Sequence, residues 1–201
     1  MESGPSGLIT HGLATQRDVD FTEAHGCLEE ARPDLVSERA LLRGHNQCGS
    51  LGGGNHFLEV QVVEHVLDRV AAETMGLTEQ LVCVMIHSGS RGLGYQVCDD
   101  ALRELRDVPE EYGIELPDRQ LVCAPIESPV GRDYLGTMRA AANFAWCNRQ
   151  LLMWQAREVF EAVFGHRWQD MDMQLIYDVA HNIAKPEDHV VGGEPKRLWV
   201  H

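Results

Sequence analysis

Three histidines, His56, His87 and His181, occupy matching positions relative to predicted strands. His56 lies where a glycine-rich stretch enters a strand, and His87 and His181 each follow the end of one. Strand ends hold side chains firmly, while the adjacent loops leave them open to a ligand. Imidazole binds divalent transition metals, and three such ligands from separate elements leave coordination positions for a substrate. The sequence therefore predicts a shared metal site, although any one of these histidines taken alone is more often a hydrogen-bonded core or surface residue.

Two glycine-rich stretches, 50–57 and 87–94, are candidate anion-binding loops. Residues 52–54 are three glycines, whose backbone N–H groups can line an anion site. Residues 88–92 (Ser-Gly-Ser-Arg-Gly) supply hydroxyls and the guanidinium of Arg91, and they precede a predicted helix whose N-terminus favours negative charge. The alternative is a pair of tight turns with a salt-bridged arginine. Neither stretch has the GxxxxGK[ST] order of a P-loop.

The elements that must position these residues alternate between short strands and helices. Strands are predicted where apolar or alternating runs occur, with the runs at 81–86 and 121–126 buried; these strands are 57–63, 81–86, 121–126 and 173–179. Helices are predicted at 33–42 with Ser37 as the cap, at 95–105, and at 132–164 with Gly165 as the stop. Gly192-Gly193 predicts a hairpin turn near the end. The pattern indicates one α+β unit.

Composition limits the class of protein. The chain has 201 residues, 44% hydrophobic and 24% charged, which is typical of a globular protein and excludes general disorder. Its formal charge of −14 argues against a broad basic surface for nucleic acid, but a binding site depends on local charge. Six cysteines without a CxxC pair predict reduced thiols. The N-terminus lacks a basic and an apolar region, so we expect a cytoplasmic protein with no membrane association.

Three segments together resemble the RtcB family of RNA ligases, in the order that the family has them. They are residues 54–59 (Gly-Asn-His-Phe-Leu-Glu), 87–94 (His-Ser-Gly-Ser-Arg-Gly-Leu-Gly) and 180–182 (Ala-His-Asn). The match extends through residues 142–145 and the closing Lys196-Arg197 segment, so it covers nearly the whole chain. The eight-residue segment at His87 is the most specific of the three.

The resemblance implies an activity, cofactors and partners. Members of this family join RNA carrying a 3′-phosphate or a 2′,3′-cyclic phosphate to RNA carrying a 5′-hydroxyl, as in tRNA splicing and RNA repair. They use GTP and two Mn²⁺ ions and pass through a covalent histidine–GMP intermediate. An archease-like activator is a further expected partner. The implied fold is an α+β catalytic domain with mixed sheets and packed helices.

Individual roles follow from the positions that match the family's motifs. His56, His87 and His181 match metal ligands. Arg91 matches a residue that contacts phosphate or RNA. The remaining matched positions are those expected to bind the nucleotide: Asn55, Phe57, Glu59 and Asn182. A glutamate that accepts hydrogen bonds from guanine N1–H and the 2-amino group would select GTP over ATP.

Two family features are missing from residues 1–201. The Asp-x-x-Cys-Gly motif that supplies the other metal ligands is not found, because Cys48-Gly49 lacks an aspartate at the matching offset. The nucleophilic histidine, in a His-Gly-Ala-Gly segment, is expected downstream, so no catalytic residue is assigned here. Residues 1–201 are therefore expected to be the central part of one catalytic domain, inactive alone. A metal- or nucleotide-binding unit without catalysis and a histidine–metal phosphodiesterase remain the alternatives.

Overall fold

The longest element of the chain is a helix around which the other elements are arranged. The structure, a computed structural model, describes residues 1–118 and 121–200. Its α-helices are α1 (Ser6–Ile9), α2 (Gln16–Asp20), α3 (Glu38–Gly44), α4 (Arg69–Met75), α5 (Arg91–Glu104), α6 (Val108–Glu111) and α7 (Pro129–Phe164). Short 3-10 turns occupy Glu23–Gly26 and Pro33–Leu35. The strands are β1 (Phe57–Val62), β2 (Val82–His87), β3 (Lys185–Val191) and β4 (Glu194–Val200).

Helix α7 has clear start and stop signals. The Oγ of Ser128 accepts a hydrogen bond from the Gly131 N–H at 3.1 Å, and Pro129 follows at the first helical position, where its missing N–H is not needed. Gly165 ends the helix with a left-handed φ of 70°. The 36 residues make a rod about 54 Å long. The predicted helix is confirmed, and it starts three residues earlier than expected.

The main core lies where α3 and α5 pack against the first half of α7. Small side chains on α7, among them Ala140 and Ala141, let the helices approach closely, and Leu93 of α5 is 2% exposed. A Cβ added at Gly44 would lie 2.7 Å from the Cβ of Leu93, so this contact between α3 and α5 requires glycine. A second cluster, around Trp146, packs under the segment that carries His181.

The strands form two separate antiparallel pairs. β1 pairs with β2 from Phe57 opposite His87 to Val62 opposite Val82. β3 pairs with β4 around the Gly192-Gly193 turn, as predicted. Helices combined with small antiparallel sheets confirm the α+β class. All six cysteines are free.

Some sequence predictions about the strands were wrong. β2 forms, but it is not buried: Val82 is 56% and Met85 45% exposed, since a two-stranded sheet has no neighbour to cover it. Residues 121–126 pack beside α5 and α7 as irregular chain, without a strand partner in the part of the chain that the structure describes. Residues 173–179 are also irregular, except for one parallel bridge between Asp178 and Thr22.

Smaller differences concern helix boundaries. The helix predicted at 33–42 is split into the 3-10 turn Pro33–Leu35 and α3, with Ser37 capping α3 through its hydroxyl at 3.1 Å from the Ala40 N–H. The helix predicted at 95–105 begins earlier, at Arg91. In the two described ranges, no helix is long and apolar enough to cross a membrane.

Candidate metal and phosphate site

The three motif histidines converge at one end of the β1–β2 sheet. The Nε2 atoms of His87 and His181 are 3.3 Å apart. The ring centroid of His87 lies 5.4 Å from that of His181 and 5.7 Å from that of His56. His87 is thus the middle member of a cluster whose members are 31 and 94 residues from it along the chain. We call these three residues the histidine cluster.

The distance between the Nε2 atoms of His87 and His181 is close to that between two ligands of one metal ion. Two nitrogens bound at about 2.1 Å to one metal lie about 3.0 Å apart at a right angle and about 3.4 Å apart at the tetrahedral angle. The observed 3.3 Å lies between these values. An N–H···N hydrogen bond would give the same distance, so the spacing fits a shared cation without requiring one. No complete group of three or more His, Cys, Asp or Glu side chains with metal-site geometry occurs among residues 1–118 and 121–200.

The tautomer of His56 follows from its hydrogen bond. Its Nδ1 lies 3.0 Å from the carbonyl oxygen of Leu51, which can only accept, so Nδ1 carries the proton. This leaves the Nε2 lone pair free for a metal, an arrangement in which a second partner orients the ligand ring. The Nη1 of Arg91 is 3.4 Å from the same Nδ1, but a protonated nitrogen cannot accept from it.

Arg91 stands beside the histidine cluster in a strained backbone conformation. Its φ is +56°, which a side chain larger than glycine seldom adopts, at the point where the loop becomes α5. Its Nε donates to the Oγ of Ser50 at 3.2 Å. A Cβ at Gly52, whose φ is +106°, would collide with the Arg91 guanidinium and the His56 ring. The glycine at position 52 therefore makes room for the arginine.

A buried asparagine joins the two glycine-rich loops. Asn148 of α7 is fully buried, and its Oδ1 accepts from the Gly49 and Ser50 N–H groups at 2.7 and 3.0 Å. Its Nδ2 donates to the Ser88 Oγ and the Gly89 carbonyl, each at 3.0 Å. Ser88 in turn donates to the Leu51 carbonyl at 2.8 Å. One amide thereby holds together the loops that carry His56 and His87.

The next residue, Arg149, is bonded to two residues that lie near His87 and His181 in the chain, Ser88 and Asp178. Its Nη1 donates to the Ser88 carbonyl at 3.1 Å, and its Nε donates to the Oδ1 of Asp178 at 2.7 Å. Burial raises the pKa of Asp178 to about 6, and the attraction of the Arg149 guanidinium only partly opposes this. The Nη2 of Arg149 is buried with no hydrogen-bond partner among the described residues.

The predicted nucleotide-binding residues are arranged around the cluster at different depths. Phe57 is half-buried, and its ring meets His87 edge-on with centroids 5.4 Å apart. Glu59 is exposed and accepts from the Gln61 Nε2 at 2.8 Å. Asn55 and Asn182 are also exposed.

A large open cleft of about 1980 Å³ lies between β2, α7 and residues 171–183. Its wall includes the histidine cluster and most of the matched positions: Phe57, Arg91 and Asn182. Asn55 and Glu59 lie outside this wall. The structure thus brings together the three histidines that the sequence singles out. The sequence analysis did not single out Asn148, Arg149 or Asp178. For the first two, the available signal was the polar run Asn-Arg-Gln at 148–150, which lies between the largely apolar stretches 140–147 and 151–154.

Comparison with known proteins identifies the family of the chain. The family model described as tRNA-splicing ligase RtcB matches residues 1–201. The tRNA-splicing ligase RtcB of Archaeoglobus fulgidus is 52% identical over 198 residues, which is 98% of this chain and 41% of that protein. The corresponding proteins of Methanococcus maripaludis and Methanocaldococcus jannaschii are 50% and 49% identical over 201 residues, covering 42% and 21% of their lengths. The chain thus spans less than half of each of these relatives. With its whole length matched by the family model, the chain belongs to the RtcB family.

Proposed function

We propose that the natural polypeptide carrying this sequence is an RNA ligase that joins 3′-phosphate or 2′,3′-cyclic phosphate ends to 5′-hydroxyl ends. The observation that carries the proposal is the convergence of the three motif histidines, with His87 and His181 at ligand spacing. The names of the relatives, tRNA-splicing ligases, support the reaction class. We further propose GTP as co-substrate, two Mn²⁺ ions, and a histidine–GMP intermediate formed on a histidine outside this chain.

The histidine cluster is proposed to hold the metal. The Leu51 carbonyl keeps the His56 proton on Nδ1, so its Nε2 can bind a cation, and β2 presents His87 at its end. Bound Mn²⁺ would supply positive charge that stabilises charge developing on phosphate oxygens. Aspartate and cysteine ligands from other parts of the polypeptide would complete the site, which is consistent with the incomplete ligand set among the described residues.

One face of β1 is proposed to bind guanine. Phe57 lies directly opposite His87 in the ladder, and Glu59 lies opposite Met85, so the side chains of these pairs share a face of the sheet. Glu59 is then about 7 Å along the strand from Phe57. Its carboxylate already accepts from the Gln61 amide, and a guanine edge could take the place of that donor. Asn55, with its exposed amide, is proposed to contact the guanylate phosphate.

Arg91 and Asn182 are proposed to bind phosphate groups of the nucleotide or the RNA. Arg91 keeps part of its guanidinium for this purpose, because its Nε alone is bound to Ser50 at 3.2 Å. The fork of the guanidinium suits phosphate oxygens. The overall charge of −14 leaves local cations such as this one as the means of binding RNA ends.

An archease-like activator is a further proposed partner, on family resemblance.

Residues 1–201 by themselves are proposed to bind metal or nucleotide without catalysing ligation. The histidine cluster offers three imidazoles, and the described residues contain no complete metal site. A phosphodiesterase activity is less well supported, because no carboxylate within residues 1–118 and 121–200 is hydrogen-bonded to the three histidines.

The proposal is tested by incubating the natural polypeptide with Mn²⁺ and GTP and measuring its intact mass. We expect a mass gain of one guanylate with GTP and none with ATP. His87→Ala should abolish the gain. His189→Ala is the matched control, since His189 pairs with Glu187 on the β3–β4 hairpin and should keep it. A wild-type mass unchanged by GTP, or guanylate retained by His87→Ala, would contradict the proposal.

A further inference from the structure

Arg149 connects the two chain segments that carry His87 and His181. Its Nη1 is bound to the carbonyl of Ser88, the residue after His87. Its Nε is bound to the carboxylate of Asp178, three residues before His181. The Arg149 and Asp178 side chains are only 11% and 13% exposed, so these bonds are shielded from water. We call this pair of hydrogen bonds the Arg149 bridge.

The segment that carries His181 packs through Ala180 and Ile183 on the cluster around Trp146. It is not part of a strand, and its backbone hydrogen bonds run to residues 21–23: the Asp178 N–H donates to Phe21, and the Glu23 N–H donates to Asp178. The Ala180 N–H donates to the Glu23 carboxylate at 2.8 Å. These bonds attach the segment to the N-terminal part of the chain. The Arg149 bridge attaches it to the end of β2.

We propose that Arg149 and Asp178 are positioning residues that set the separation of His87 and His181 in the metal site. The inference rests on the metal-binding part of the proposed function and adds to it a role for α7. A rigid helix holds the guanidinium in place, and the planar fork directs one donor to each histidine-bearing segment. A 36-residue helix packed over the core provides a fixed reference for both.

Lysine at position 149 would preserve the charge but not the bridge. Its ammonium is a compact point charge without the fixed fork, so it cannot hold the carbonyl and the carboxylate in the same geometry. Loss of residues that orient metal ligands commonly weakens metal binding by about 10- to 100-fold. We therefore expect Arg149→Lys to weaken Mn²⁺ binding by at least about tenfold.

The experiment compares Arg149→Lys with Arg139→Lys in the natural polypeptide. Arg139 is the matched control, because it is also on α7, is 13% exposed, and pairs with one carboxylate, Glu30, at 2.8 Å. Mn²⁺ affinity is measured by calorimetry, and the visible absorption spectrum of bound Co²⁺ reports ligand geometry. We expect weaker Mn²⁺ binding and an altered Co²⁺ spectrum for Arg149→Lys, with the control within about twofold of wild type.

Two further measurements make each outcome decisive. Thermal unfolding of both variants, and of the double variant Arg149→Met/Asp178→Leu, shows whether any loss comes from unfolding; the double variant leaves no unpaired buried charge. Equal Mn²⁺ affinity and Co²⁺ spectra in wild type and Arg149→Lys would overturn the positioning role while leaving the metal site intact. If the wild type binds neither Mn²⁺ nor Co²⁺, the proposed metal site is wrong. Amide hydrogen exchange then tests the Arg149 bridge by itself. Unchanged exchange rates of the Asp178 and Ala180 N–H groups in Arg149→Lys would overturn the role of the Arg149 bridge.

Discussion

Helix α7 carries two buried arginine–aspartate pairs that differ in how completely they are satisfied. Arg157 binds both oxygens of Asp18 at 2.8 and 2.9 Å, and its Nε donates to the Met173 carbonyl at 3.1 Å. The two side chains are 1% and 0% exposed. Arg149 makes a single contact with Asp178, and its Nη2 has no partner among the described residues. The second pair is also bonded to the carbonyl of Ser88, the residue after His87, whereas the first pair is bonded to Met173.

The pKa values of the two aspartates shift in opposite directions, as expected from the number of hydrogen bonds that each carboxylate accepts. Burial raises the pKa of Asp18, but hydrogen bonds from Arg157 and Thr15 outweigh it, so the net pKa lies below the usual value. Burial raises the pKa of Asp178 to about 6, and one bond from Arg149 does not offset it. A fully satisfied pair stabilises the fold. A partly satisfied pair next to the cleft retains hydrogen-bonding capacity that the fold does not use.

The largest expected effect comes from breaking the satisfied pair. Arg157→Leu would leave the Asp18 carboxylate buried and unpaired, and removing one partner of a buried pair costs about 3–5 kcal/mol. The loss of packing against the Trp168 ring, 3.9 Å from the guanidinium, adds to it. Urea denaturation measures the free energy of unfolding. A loss below about 1 kcal/mol would show that this pair does not stabilise the fold.

The stability of the fold is expected to depend on pH through the Arg149–Asp178 pair. Because the folded-state pKa of Asp178 is raised from 3.8 to about 6, the folded protein binds more protons than the unfolded chain between these values. Stability from this group is therefore greatest at low pH and falls as pH rises from about 4 to 6.

The check is a comparison of wild type with Asp178→Asn over this pH range. The free energy of unfolding of wild type, relative to the variant, should fall by roughly 2 kcal/mol as pH rises from about 4 to 6. A difference that stays constant with pH, or that grows as pH rises, would show that the carboxyl is not shifted upward.

A pair of glycine substitutions in the stretch 50–57 tests whether this loop affects metal binding. Gly52→Ala and Gly54→Ala both place a side chain at positive φ, at +106° and +73°. Only the first would push against Arg91 and His56, since nothing lies within 4 Å of a Cβ at Gly54. We expect Gly52→Ala to weaken Mn²⁺ binding by about tenfold, or about 1.4 kcal/mol, and Gly54→Ala to leave it nearly unchanged. Calorimetry that finds the two variants equal would remove the link between Gly52 and the site.

The smallest expected effect lies at the cap beside Asp18. Thr15 accepts from the Asp18 N–H at 3.1 Å, and Asp18 accepts from the Thr15 N–H at 2.9 Å, which is a capping box. Thr15→Ala should cost about 1 kcal/mol and leave Mn²⁺ binding unchanged. Denaturation and calorimetry on the same sample test both parts. A change in metal affinity would mean that this region is coupled to the histidine cluster.

Local signals in the sequence were sufficient for some elements. Ser128 and Gly165 mark the ends of α7 through hydrogen bonding and backbone conformation within a few residues. The Gly192-Gly193 turn likewise fixed the β3–β4 hairpin. The predicted strand ends are confirmed for His56, which directly precedes β1, and for His87, which ends β2, whereas His181 follows irregular chain.

Features that depend on distant partners were not predictable from the sequence. Residues 173–179 have the composition of a strand, but a strand needs a neighbour, and only Asp178 makes a bridge. β2 is apolar yet exposed, because its sheet has only two strands in the described part of the chain. The roles of Asn148 and Arg149 depend on which loops pack against α7, and the helix sequence does not contain that information.

The proposed metal site is formed by three histidines from distant parts of the chain. The most direct measurement is anomalous diffraction from crystals of the natural polypeptide grown with Mn²⁺. We expect a manganese peak at bonding distance, about 2.1 Å, from Nε2 of both His87 and His181, with His56 facing the same site. Manganese bound only to other side chains, or no peak near these two nitrogens, would contradict it.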